Sequence, residues 1–200
     1  MLDPVPSAMS LVNDGVTKFL LLDFDGVFNP YYTNGTFKKA FYSPDNKSRH
    51  PNPAYKPKTR FYNPFTRREP SSYVLTWSSD LVANFSKLAS KHDTQVVWVT
   101  TWRAHMDDVA TRLSFTSKRG MFYLPWGNDS YDHFDKVPAV LDFLSDVSSD
   151  TRAVWVDDVI FNSHVDSLVD DLDANVLTVS PNSLYGVSRN EFVKVEKFLS

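Results

Sequence analysis

Short uninterrupted apolar runs alternate along this chain with stretches whose apolar residues recur every three or four positions. The runs KFLLL from Lys18, QVVWVTT (95–101), AVWVDD (153–158) and NVLTVS (175–180) predict strands buried on both faces. MFYLPW (121–126) predicts a shorter strand, and YVLTW (73–77) is a further candidate. Leu81, Val82, Phe85 and Leu88 predict a helix over 80–91 capped by Ser78 or Ser79. Met106, Val109, Ala110 and Leu113 predict another over 104–114. Further helices are expected over 137–146, with Pro138 in the first turn, and over 163–171. A last one opens on the Ser188/Glu191 capping box and carries Phe192, Val195 and Phe198. Strands alternating with amphipathic helices predict an α/β fold: a three-layer, Rossmann-like parallel sheet with helices on both faces. Ligands of such sheets bind at the carboxyl ends of the strands.

The alternation lapses after the first strand. YYTNGTF predicts a hairpin turning at Asn34-Gly35, and residues 43–71 show neither period, reading as a long irregular loop. Composition changes there too. Residues 26–72 hold nine Lys/Arg, among them Lys38, Lys39 and Arg60, against Asp45 and Glu69. This local charge of +7 leaves −10 for the rest of a chain whose net charge is only −3. Ten aromatics and seven of the twelve prolines lie in the same segment. Basic residues interleaved with Tyr and Phe suit phosphate contacts and base stacking.

Two hundred residues accommodate one domain with an insert. The absence of cysteine excludes disulfides, thiol catalysis and thiolate metal sites. No apolar run has the length of a membrane span, and the acidic, proline-containing start is unlike a signal peptide. A soluble, cytoplasmic protein is expected.

The strand ends carry the candidate chemistry. The first closes on Asp23-Phe24-Asp25-Gly26, where residues two apart share a side and Phe24 turns to the core. The second closes on Thr100-Thr101, followed by Trp102 and Arg103, and the fourth on Asp157-Asp158. Lys136 lies just before the Pro138 helix, where a cation opposes the helix dipole and so has little structural rationale. Four carboxylates in one crevice call for a hard divalent cation with oxygen ligands, Mg²⁺. One Asp can then attack phosphorus and the other protonate the leaving oxygen, with Thr100 and Lys136 on the phosphoryl group.

The ordered set LLLDFDGV, VVWVTTW, Lys136 and AVWVDD resembles the four motifs of the haloacid-dehalogenase (HAD) superfamily of phosphohydrolases. DFDGVFNP, WVTTWR, DKVPAVLDFL and VWVDD are similar to the HAD domain of Swiss-Army-knife RNA-repair proteins. The resemblance implies a single HAD-like domain over 1–200, with 28–72 as a β-hairpin flap and a basic, cap-like insert. It further implies that Asp23 is the nucleophile and Asp25 the general acid, then base. Thr100 would bind the phosphoryl group and Lys136 stabilise it. Asp23, the Asp25 carbonyl, Asp157 and Asp158 would hold or support Mg²⁺. Thr101 competes with Thr100, and Thr101, Arg103, Lys38, Lys39 and Arg60 are candidate substrate contacts. Signalling receiver domains gather similar groups, but their acidic pair comes early rather than last. The expected activity is an Mg²⁺-dependent phosphomonoesterase acting on a nucleotide or a nucleic-acid end. A sugar phosphatase and a catalytically silent phospho-ligand module are the alternatives.

Overall fold

The computed structural model describes residues 1–30, 60–62, 72–74, 77–127, 136–147, 149–160, 163–172, 174–183 and 186–200. Five parallel strands form the main sheet: β1 (Lys18–Leu22), β4 (Gln95–Trp98), β5 (Met121–Tyr123), β6 (Arg152–Val156) and β7 (Asn175–Val179). Their order is β5-β4-β1-β6-β7, so the first strand is central. β2 (Arg60–Tyr62) and β3 (Ser72–Val74) form a separate antiparallel pair. That pair corrects the expectation of a wholly irregular loop over 43–71. Three residues are too few to show a period, but backbone pairing with Ser72–Val74 makes them a strand. The Asn34-Gly35 hairpin, Lys38 and Lys39 lie outside the described residues.

The helices are α1 (Ala8–Asn13), α2 (Ser79–Lys91), α3 (Met106–Leu113), α4 (Lys136–Ser145), α5 (Ser163–Asp170) and α6 (Arg189–Leu199). They cover both faces because alternate residues of β1 point to opposite sides. Leu20, Leu22 and Phe24 pack with Phe85 of α2, Met106 and Val109 of α3 and Val195 of α6. Phe19 and Leu21 pack with Leu11 of α1, Val140 and Leu144 of α4 and Val165 of α5. The apolar positions read for α2 and α3 are all buried. Trp98 and Trp155 are fully buried, and Trp77 is partly so.

Caps place the helix starts where the sequence signals lie. Ser78 Oγ accepts from Leu81 N at 3.1 Å, which decides between Ser78 and Ser79. Ser188 and Glu191 exchange both bonds of the capping box. The 104–114 helix is shorter than expected, with a 3₁₀ turn over Arg103–His105 before α3. Among the described residues no helix is long and apolar enough to cross a membrane.

Register then positions the site. Leu22 of β1 pairs with Trp98 of β4 on one side and Val156 of β6 on the other. The bonds continue one residue further, from Val99 N to Leu22 O and from Asp23 N to Val156 O. The three central strands therefore end close together, with Asp23 and Asp157 level on adjacent strands and Thr100 one residue further along the third.

Candidate active site

Asp23 follows β1 directly and is almost fully buried, as are Asp157 and Asp158 after β6. One carboxylate oxygen from each of these three lies within 4.8 Å of the other two. Lys136, the first residue of α4 and 1% exposed, reaches into the cluster. Its Nζ is 2.6 Å from Asp23 Oδ2 and 2.8 Å from Asp157 Oδ2. A lysine so deeply buried at a helix start is held by these two acids, since the helix dipole opposes it.

Burial disfavours the Lys136 ammonium, but Asp23 and Asp157 outweigh it and hold the group above its ordinary pKa. The acids are the strained members of this cluster. Burial, then repulsion from Asp23, pushes Asp157 up to about 7 despite Lys136 and the Val159 N–H, which bonds Asp157 Oδ1 at 3.0 Å. The same two causes push Asp158 up to about 6. Among the described residues, three buried carboxylates gather around one ammonium, which ion-pairs with two of them, Asp23 and Asp157, so negative charge is in excess.

Asp25 lies apart from that cluster. Its Oδ1 accepts from Asn29 Nδ2 at 2.6 Å and its Oδ2 from Trp102 Nε1 at 2.8 Å. Burial raises its pKa against those two hydrogen bonds. The loop that returns Asn29 to Asp25 is tight: Phe28 N and Asn29 N both bond Phe24 O, and Gly26 N bonds Asn29 O. Gly26 adopts φ +75°, and a Cβ built there would overlap the Asp158 carboxylate.

Thr100 is fully buried, and its Oγ1 has no hydrogen-bond partner among the described residues. An unpartnered buried hydroxyl beside the acids is a costly arrangement unless a ligand oxygen completes it. Thr101 is half-buried. Arg103 Nη2 bonds the Trp126 carbonyl at 2.9 Å, and its guanidinium lies 5.4 Å from the centre of that ring. Arg60 is placed on β2 by its backbone alone.

The sequence reading thus meets Asp23, Lys136, Asp157 and Asp158 as one cluster, with Thr100 at the adjoining strand end. Asn29 was not anticipated. Its only signal was its place in the DFDGVFNP run, which gives no hint of a bond back to Asp25. The donor set fits a hard divalent cation. It consists of oxygen donors with uncompensated negative charge, and Asp23, Asp157 and Asp158 are the residues that would hold Mg²⁺.

A family model described as "HAD domain in Swiss Army Knife RNA repair proteins" matches residues 19–192. No curated protein and no solved structure gives a significant match. The match runs from β1 into α6 and so takes in every strand end described above. With its parallel sheet and its ordered acids, the chain belongs to the HAD domains of Swiss-Army-knife RNA-repair proteins, within the haloacid-dehalogenase superfamily of phosphohydrolases.

Proposed function

We propose that the protein is an Mg²⁺-dependent phosphomonoesterase acting through an aspartyl-phosphate, with a nucleotide or the terminal phosphate of a nucleic-acid end as substrate. The observation that carries this reading is the pairing of Asp23 with Lys136 beside Asp157 and Asp158. A carboxylate held at a strand end, with a cation at one oxygen, is placed to attack a phosphorus that enters from the crevice.

An Asp23 oxygen forms a bond to phosphorus as the bond from phosphorus to the leaving oxygen breaks. Asp25, whose burial favours its acid form, gives its proton to that oxygen. Water then attacks the aspartyl-phosphate while the Asp25 carboxylate takes a proton from it. The Asp23–phosphorus bond breaks, and inorganic phosphate leaves with both acids restored. Lys136 and the Thr100 hydroxyl offset the charge on the non-bridging oxygens. Asp23, Asp157 and Asp158 would hold Mg²⁺, which would supply the remaining charge neutralisation there and Lewis-acid polarisation of the phosphoryl group.

Two facts support the substrate class. The matching family is named for RNA-repair proteins. The 26–72 segment carries +7 with ten aromatics, a composition suited to a phosphate backbone and its bases. Lys38, Lys39 and Arg60 are the proposed contacts there, with Thr101 near the phosphoryl group.

The test is a phosphate-release screen over nucleotides, sugar phosphates and 3′- or 5′-phosphorylated oligonucleotides, with Asp23→Asn as control. Expected is Mg²⁺-dependent release, greatest on nucleotides or oligonucleotide ends, falling with salt for the oligonucleotides and lost in the variant. Preference for sugar phosphates would replace the substrate class. Binding without turnover would make the domain a phospho-ligand module. Full turnover by Asp23→Asn would overturn the covalent mechanism.

A further inference from the structure

Two donors from different parts of the chain clamp Asp25, one on each oxygen. Asn29 comes from the tight loop after β1. Trp102 comes from the turn after β4, closed by the 3.0 Å bond from Arg103 N to Thr100 O. The Trp102 ring also meets Phe24 edge-on at 6.1 Å, and Phe24 is the fully buried residue between Asp23 and Asp25. One side chain therefore touches both the second acid and the residue that joins it to the first. It does so from the turn that carries Thr100.

A half-buried carboxyl could satisfy both oxygens with water and keep its rotamer freedom. The indole N–H donates and cannot accept, so it takes a lone pair of Oδ2 and leaves the proton to the remaining positions. Two fixed donors select one orientation of the carboxyl. A proton donor gains rate from such fixing only when the leaving oxygen needs its proton.

We infer that Trp102 is a positioning residue that holds the Asp25 carboxyl at a fixed spacing from Thr100, so that its proton reaches the leaving oxygen of the sugar-phosphate ester in the nucleotide or nucleic-acid end proposed above. When that ester is cleaved, the phosphorus–oxygen bond breaks, its electron pair stays on the leaving oxygen, and the proton of Asp25 neutralises it. An acyl phosphate or a phenolic ester departs without that proton, so its first step gains little from the clamp; the second step, in which Asp25 takes a proton from water, is the same for every ester. The inference rests on the acid role proposed above for Asp25.

Trp102→Phe keeps an aromatic ring beside Phe24 and removes the N–H together with the second ring of the indole. The experiment measures kcat/KM, which reports the steps through formation of the aspartyl-phosphate, for this variant on a nucleoside monophosphate and on p-nitrophenyl phosphate. Expected is a roughly 10- to 100-fold fall in kcat/KM on the alkyl ester and several-fold at most on the aryl ester. Asn29→Ala removes the other donor from a different loop and should show the same split. Asp25→Asn should show it more strongly. Equal losses on both esters in Trp102→Phe and Asn29→Ala, with a split in Asp25→Asn, would overturn the positioning role alone. Absence of a split in Asp25→Asn would overturn the acid assignment itself. Wild-type turnover of the aryl ester without the alkyl one would overturn the substrate class.

Discussion

The carboxylate of Asp158 occupies the space that a side chain on Gly26 would need. Gly26 also stands at φ +75°, a conformation that other residues adopt at a cost. Gly26→Ala is therefore expected to lose about 1–3 kcal/mol of stability and to displace Asp158 from the acidic cluster. Urea unfolding would show the first effect and a Mg²⁺ titration the second, as a weaker affinity. An unchanged midpoint and an unchanged titration would refute the contact.

Lys136 is the only ammonium within ion-pair distance of Asp23 or Asp157 among the described residues. Replacing it by Met removes the cation and keeps the apolar stem. The metal-free variant should lose about 3–5 kcal/mol near pH 8, because two buried carboxylates lose their partner. The loss should shrink at pH 6, where Asp157 takes up a proton instead. Added Mg²⁺ should restore part of it. Denaturation at both pH values, with and without Mg²⁺, measures all three effects.

Thr100→Val separates catalysis from folding. The hydroxyl is buried without a partner among the described residues, so its removal should leave stability unchanged or raise it by up to about 1 kcal/mol. Phosphate release should nevertheless fall about 100-fold. Thr101→Val, at a half-buried neighbour, should have the smaller effect on rate. The reverse ranking would give the phosphoryl contact to Thr101.

The acidic cluster also sets a pH dependence with a definite sign. Asp157 at about 7 and Asp158 at about 6 both lie above the ordinary 3.8, so the folded metal-free protein binds more protons than the unfolded chain in between. The stability these two groups contribute is complete below about pH 4 and is lost as pH rises through 6 and 7. Mg²⁺ binding must expel those protons, so affinity should increase from pH 5.5 to 8. Calorimetry in buffers of different ionisation enthalpy should detect proton release near pH 6 and almost none at 8.5.

The split between local and long-range information follows element by element. α2, α3 and the α6 capping box were legible because a helix face and a cap repeat within a few residues. β1, β4, β6 and β7 were legible as apolar runs, and β4, β6 and β7 proved shorter than theirs. The pair of Arg60–Tyr62 with Ser72–Val74 was not, since backbone pairing across nine residues leaves no mark on side-chain pattern.

The opening contrast of apolar runs and amphipathic stretches, read by itself, determined the layered α/β fold. It also placed Asp23, Asp25, Thr100, Lys136, Asp157 and Asp158 at strand or helix ends, because these depend on local period and order along the chain. Only the tertiary structure decided that β1 lies between β4 and β6, and hence that Lys136 is shared by Asp23 and Asp157. It likewise decided that Asp158 packs over Gly26, that Asn29 and Trp102 clamp Asp25, and that Arg103 turns to Trp126. Those contacts join residues up to 132 positions apart (Gly26 and Asp158). Strand order and register set them, and neither is written in the spacing of residues along one chain.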